Sequence, residues 1–131
     1  MADDSINGVP ACANDYILNK MMREEWQQPH AFVSTDCGAV ANMLGQLEPA
    51  PGHTRLAATP VEAAAWTIMN GTDLEMGSLI WTEHMQNATA LGLVTEAAIA
   101  RSVKRGLRQQ FIAGRFDSGV WAEIGAKVSH F

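Results

Sequence analysis

A chain of 131 residues is enough for one ordinary domain and too short for two. Its 47% hydrophobic and 18% charged residues describe globular material rather than a disordered tail, and a formal charge of −5 with a pI near 5.2 offers nucleic acid no basic face. No run approaches the roughly 18 apolar residues of a membrane span, Met1-Ala-Asp-Asp-Ser5 lacks a signal-peptide pattern, and Cys12 and Cys37 are too few for a disulfide scaffold or an unaided zinc site.

Taken in order, Asn7-Gly8 followed by Pro10 marks a turn. Asn14 caps a helix expected over residues 15–26, with Ile17, Leu18, Met21 and Met22 inward and Lys20, Arg23 and Glu24 facing out. Ala31-Phe-Val33 reads as a short buried strand running into a polar tip, Ser34-Thr-Asp36. Gly38 permits a sharp turn, and a small-residue helix starts at Ala39 and runs to about residue 45. Glu48-Pro-Ala-Pro-Gly52 is loop by composition. Thr59-Pro-Val-Glu62 predicts a capped helix start with proline at its first position, and Asn70-Gly71 ends that helix after Met69. Thr72–Met76 is a second short strand, with carboxylates at Asp73 and Glu75. Ser78 opens a helix that Gly92 closes, and Thr95 caps a last helix to about residue 113. Ile99, Val103, Leu107 and Phe111 share a face of that helix, and Lys104, Arg105 and Arg108 read as a solvated one. Trp121–Gly125 has no clear periodicity.

The residue of chemical interest is Asp36. A carboxylate at the carboxyl end of a parallel strand is where α/β barrels place catalytic residues. The same residue type also serves as a helix cap or turn former. The order helix, strand, helix, helix, strand, helix, helix resembles the closing part of a (β/α)8 TIM barrel. A complete barrel needs roughly 200 residues or more. The expected fold is therefore α/β and helix-rich, the C-terminal portion of a barrel that is incomplete as an isolated chain.

Three motifs in this order, Asn7-Gly-Val-Pro-Ala-Cys12, Ser34-Thr-Asp-Cys-Gly-Ala-Val40 and Gly71-Thr-Asp-Leu-Glu75, resemble glycoside hydrolase family 3. The Asp36-Cys37 pair is similar to its β-xylosidase branch; β-glucosidases of the family usually have Asp-Trp there. The resemblance makes residues 1–117 the last part of the family's N-terminal barrel domain and residues 118–131 the start of the inter-domain linker. It implies a retaining exo-acting β-xylosidase that hydrolyses O-glycosyl bonds of xylo-oligosaccharides, with Asp36 as nucleophile and no cofactor. The nucleophile must be ionised to form a covalent glycosyl intermediate. The matching acid/base glutamate usually comes from the domain after the barrel. The resemblance also places Cys12 and Cys37 after successive strand ends, which leaves a bridge between them open. The family's Ser-Tyr-Asn signature before the first turn has no counterpart: Asp3 falls where the tyrosine would be, and the barrel's sixth strand is expected to be missing. The family's Lys-His and Arg sugar-binding motifs are absent too.

Of the remaining acids, Asp73 and Glu75 are expected near the same mouth as Asp36 but in structural roles, and Glu24, Glu25, Glu83 and Glu96 are expected in solvent. His30, His53, His84 and His130 have no His-x-x-x-His spacing, so no metal site is expected. Cys37 reads as a pocket-lining residue, Trp66 and Trp81 as core, and Trp26 as core or rim. Alternatives are a truncated, inactive barrel piece and a β-glucosidase or arabinofuranosidase of the same family. Secretion of the parent enzyme follows only from the resemblance. The sequons Asn70-Gly-Thr72, expected to be buried, and Asn87-Ala-Thr89 bear on it weakly.

Overall fold

The computed structural model describes residues 5–45, 56–117, 119 and 123. The expected loop over residues 48–52, most of residues 118–131, and His53 and His130 lie outside them. The chain opens with β1 (Ser5–Ile6) and β2 (Val9–Pro10), an antiparallel hairpin closed by Asn7 and Gly8, whose φ angles of 53° and 78° suit a mirror-image two-residue turn. A 3₁₀ turn (Ala11–Ala13) leads into a π-helix (Tyr16–Glu25). Then come β3 (Ser34–Cys37), α1 (Ala39–Asn42), α2 (Pro60–Met69), β4 (Leu74–Met76), α3 (Ile80–Ala90) and α4 (Glu96–Ile112). Strands β3 and β4 pair in parallel, with α2 between them in sequence, which makes one βαβ unit. No helix among the described residues is long and apolar enough to cross a membrane.

The helix ends follow the local chemistry. The Thr59 hydroxyl accepts from the Glu62 amide at 3.2 Å, and Glu62 Oε2 accepts in return from Thr59 N at 3.2 Å, so two otherwise orphaned amides at the start of α2 are satisfied. Thr95 caps α4 through Ala98 N, and Asn14 Oδ1 accepts from Ile17 N. Alanines 63, 64 and 65 of α2 let neighbouring backbones approach closely. One cluster joins Ala63 and Ala64 to Cys12, Val40, Met43 and Ile80; a second joins Ala65 and Ile68 to Ala88, Val94 and Ala98. Trp81 and Met85 of α3 touch both clusters, and Trp81 donates to Thr67 Oγ1 at 2.8 Å.

The first helix departs from expectation. It is wound with i→i−5 bonds, such as Trp26 N to Met21 O at 2.9 Å, rather than as an α-helix. Arg23, expected in solvent, is buried. Its Nη2 donates to Asp73 Oδ2 at 2.7 Å and to Ala31 O at 3.1 Å, and its Nη1 donates to Asn19 Oδ1 at 2.7 Å. Arg105, also expected on a solvated face, places Nη1 3.1 Å from Asp73 Oδ1. The Asp73 side chain is 1% exposed and also accepts from Val33 N at 3.0 Å. Burial pulls the Arg23 guanidinium below its ordinary value; Asp73 opposes that shift, while Arg105 and Arg101 add like-charge repulsion. Gly71 makes room for this network, since a Cβ there would lie 2.6 Å from Arg23 Nη1.

Other expectations need adjustment. The strand begins at Ser34, not Ala31, although Val33 O already accepts from Asp73 N at 2.8 Å and Leu74 N at 3.1 Å. Helix α1 is one turn long, shorter than the stretch to residue 45. Ser78 does not cap α3; its hydroxyl donates to Glu75 Oε1 instead. Trp66, expected in the core, and Trp26 are exposed. So is most of the stripe on α4: Val103, Leu107 and Phe111 stand open with Ile112 and Phe116 beyond. Of these, Val103 and Leu107 line an apolar groove of about 570 Å³ between α4, Phe32, Leu74 and Met85.

Two outcomes follow. Asp73→Asn leaves two inward-facing cations without their counter-charge, so the urea midpoint should fall by an amount equivalent to about 3–5 kcal/mol; an unchanged midpoint would remove the network from the stabilising interactions. The open α4 stripe should bind a hydrophobic dye and drive self-association on a sizing column with light scattering. Val103→Lys with Leu107→Glu should reduce both signals.

Candidate active site

Asp36 lies at the carboxyl end of β3, and its side chain is exposed. Its Oδ1 accepts from the next amide, Cys37 N, at 2.6 Å. Gly38 follows in the left-handed region at φ 80° and donates its amide to Met76 O at 3.0 Å, which ties the turn after Asp36 to the end of β4. A hollow of about 240 Å³ opens beside the strand. Ile6, Cys12, Leu18 and Val33 are among its apolar walls, and Ser34 and Asp36 supply polar groups. The site thus combines an accessible carboxylate with a largely apolar recess.

The acids of the neighbouring strand do not join Asp36. Asp73 precedes β4, beside Val33 at the amino ends of both strands, so the expectation that it shares a mouth with Asp36 is wrong. β4 starts at Leu74, two residues after the expected Thr72, and two arginines draw the Asp73 carboxylate inward. Glu75 engages the Ser78 hydroxyl with one oxygen and Trp81 N, at 2.6 Å, with the other, so it anchors the entry to α3. Lys20 and Glu24 form an exposed pair at 3.0 Å. Glu25, Glu83 and Glu96 are also exposed, as expected. Among the described residues no three His, Cys, Asp or Glu side chains converge as a metal site.

Cys12 is buried with its thiol 3.8 Å from Met43 Sδ, and Cys37 is exposed; no disulfide joins them. It is Cys12, not Cys37, that lines the hollow beside Asp36. In the first sequon, Thr72 Oγ1 donates to Cys12 O at 2.7 Å and Asn70 Nδ2 to Ala13 O at 2.9 Å, which accounts for the burial expected there. Asn87 of the second sequon is exposed on α3. The residues that local pattern missed are Arg23 and Arg105. The signal that could have found them was Asp73, an acid at an expected strand, which requires cationic partners when buried.

The exposed carboxylate thus stands at the carboxyl end of a strand in a parallel pair flanked by helices. No family model matches the chain. A probable exo-1,4-beta-xylosidase, bxlB, of Aspergillus fumigatus is 33% identical over 116 residues, which is 87% of this chain and 14% of that protein. Exo-1,4-beta-xylosidase xlnD of Aspergillus niger is 33% identical over 118 residues, covering 89% and 14%. Among solved structures, a GH3 exo-beta-xylosidase (XlnD), in complex with a xylobiose aziridine activity-based probe, superposes with a TM-score of 0.74 at 32% identity, over 88% of this chain and 14% of that one. A beta-glucosidase from Listeria innocua gives a TM-score of 0.77 at 25% identity, over 88% and 15%. The chain belongs to glycoside hydrolase family 3, and it spans about 14% of the length of the curated relatives it matches.

A direct check of this geometry is thiol labelling. Cys37 should react with an aromatic disulfide reagent in the native chain, and Cys12 only after denaturation. Equal rates for the two would contradict the described burial.

Proposed function

We propose that this chain is the closing portion of a (β/α)8 barrel in a retaining, exo-acting β-xylosidase, with Asp36 as the nucleophile. The observation that carries the reading is the exposed Asp36 carboxylate at the carboxyl end of a strand in a parallel pair. In the first step an Asp36 oxygen bonds to the anomeric carbon as the bond to the leaving oxygen breaks. An acid supplied from outside this chain gives that oxygen its proton. Water, deprotonated by the same group, then attacks the anomeric carbon and releases the sugar and Asp36. Xylo-oligosaccharides are the proposed substrate, supported by the relatives' names and by the Asp36-Cys37 pair.

The parent enzyme would be secreted, with residues 1–117 in the barrel domain and residues 118–131 leading toward the next domain. The groove between β4 and α4 is where the remaining barrel elements would pack. A β-glucosidase reading is favoured by one observation, the TM-score of 0.77 to the Listeria innocua enzyme. The ratio of kcat/KM for aryl xyloside over aryl glucoside separates the two.

This chain alone should turn over aryl xylosides at or near background, because general acid help, typically worth about 10²–10⁴-fold, is missing. In the full-length enzyme that contains this segment, Asp36→Ala should abolish turnover and leave the fold intact, with partial rescue by azide. Near-normal turnover by Asp36→Asn, its side chain shown by mass to be undeamidated, would overturn the assignment.

A further inference from the structure

The pairing of β3 with β4 is not regular. Ser34 stands opposite Leu74 and Cys37 opposite Met76, so three steps on β3 match two on β4 and one extra residue is carried in the Thr35–Asp36 stretch. This is a bulge, a device that bends a strand and re-aims its side chains. Regular alternation would send Asp36 and Cys37 to opposite faces. Here Thr35 is buried, 3% exposed, while Asp36 and Cys37 are both exposed.

A bulge disturbs the ladder locally, and the disturbance is made good by a side chain. The Thr35 hydroxyl oxygen accepts from Met76 N at 3.0 Å. Met76 O accepts in turn from Gly38 N at 3.0 Å, so the end of β4 is bonded to the residues on both sides of Asp36. The strands are drawn close at this point. A Cβ on Gly77 would lie 2.7 Å from Cys37 Cα, inside any permitted contact.

We infer that Thr35 is a positioning residue for Asp36: its buried hydroxyl locks the bulge that turns the carboxylate toward the sugar. This rests on Asp36 being the nucleophile. Thr35 touches neither substrate nor reacting atom; it acts through the backbone. Valine has nearly the shape of threonine and retains the β-branch, but it cannot accept the Met76 amide. Serine retains the acceptor.

The test uses the full-length enzyme that contains this segment, or a chimaera with residues 5–117 replacing the matching stretch of the Aspergillus niger xylosidase. Thr35→Val should lower kcat by about 10–100-fold with little change in KM, since a misplacement near 1 Å can cost about 10²-fold. Thr35→Ser should restore most of the rate. Covalent labelling of Asp36 by a xylose-configured aziridine should slow in parallel with kcat. In the chain itself, Thr35→Val should speed hydrogen exchange at the Met76 amide. If the valine protein does not accumulate folded, Thr35→Ala removes the same hydroxyl without burying a methyl in its place and gives the same reading. Wild-type kcat in the hydroxyl-less variants, with Asp36→Ala inactive in the same background, overturns the positioning role alone. Activity in Asp36→Ala overturns the nucleophile reading beneath it.

Discussion

A single buried carboxylate joins three parts of this molecule that lie far apart in sequence. Asp73 receives Arg23 from the π-helix, Arg105 from α4 and the Val33 amide from the approach to β3. Its own backbone carbonyl accepts from Ser102 Oγ at 2.7 Å, a second tie to α4. An isolated charge in such a place would be prohibitive, and even one good pair barely offsets desolvation. Several charge-assisted donors converging on one carboxylate change that balance. The arginines also serve as ties for main-chain oxygens: Arg23 holds Ala31 O, and Arg105 Nε reaches Pro29 O at 3.3 Å. The irregular stretch between the π-helix and β3 is thereby fixed by side chains rather than by a sheet.

Three acids in or beside two short strands illustrate how position decides fate. Asp73, at the amino end, is enclosed by cations and has become part of the frame. Glu75, one strand position from the end, closes the start of α3 with its two oxygens. Asp36, at the carboxyl end, has no side-chain cation in contact with it among the described interactions and faces solvent. A frame at one end and a presented carboxylate at the other is a division of labour that a parallel pair permits, because both strands deliver their carboxyl ends to the same side.

Much of this was readable from sequence. Thr59-Pro60 with Glu62 placed the start of α2, Asn70-Gly71 placed its end, and Asn7-Gly8 gave the first turn, because each is a local instruction completed within four residues. The family emerged from three motifs in a fixed order, and Asp36 from the strand-to-turn pattern around Gly38. What failed did so for a physical reason. Arg23 was placed by the 3.6-residue period of an α-helix, and a π-helix advances its side chains at a different angle. Arg105 sits in an amphipathic pattern whose polar side looks solvated until an acid 32 residues away is brought to it. Trp66 lies on a helix with enough alanine to fill its inner face without it. The bulge at Asp36 left no mark in the residue pattern, since it depends on which residues of β4 lie opposite.

The long separation between the paired strands also has a consequence in time. Val33 and Asp73 are 40 residues apart. At a synthesis rate of about 5–20 residues per second, β3 leaves the ribosome roughly 2–8 s before its partner exists. Helix α2, which carries both halves of its own cap, emerges within that interval and can wind at once. The sheet cannot, and Arg105 arrives later still. The middle turns of α4, which carry Ser102 and Arg105, complete the frame around Asp73, so the amino ends of the two strands are fixed only after both strands and α3 have been made.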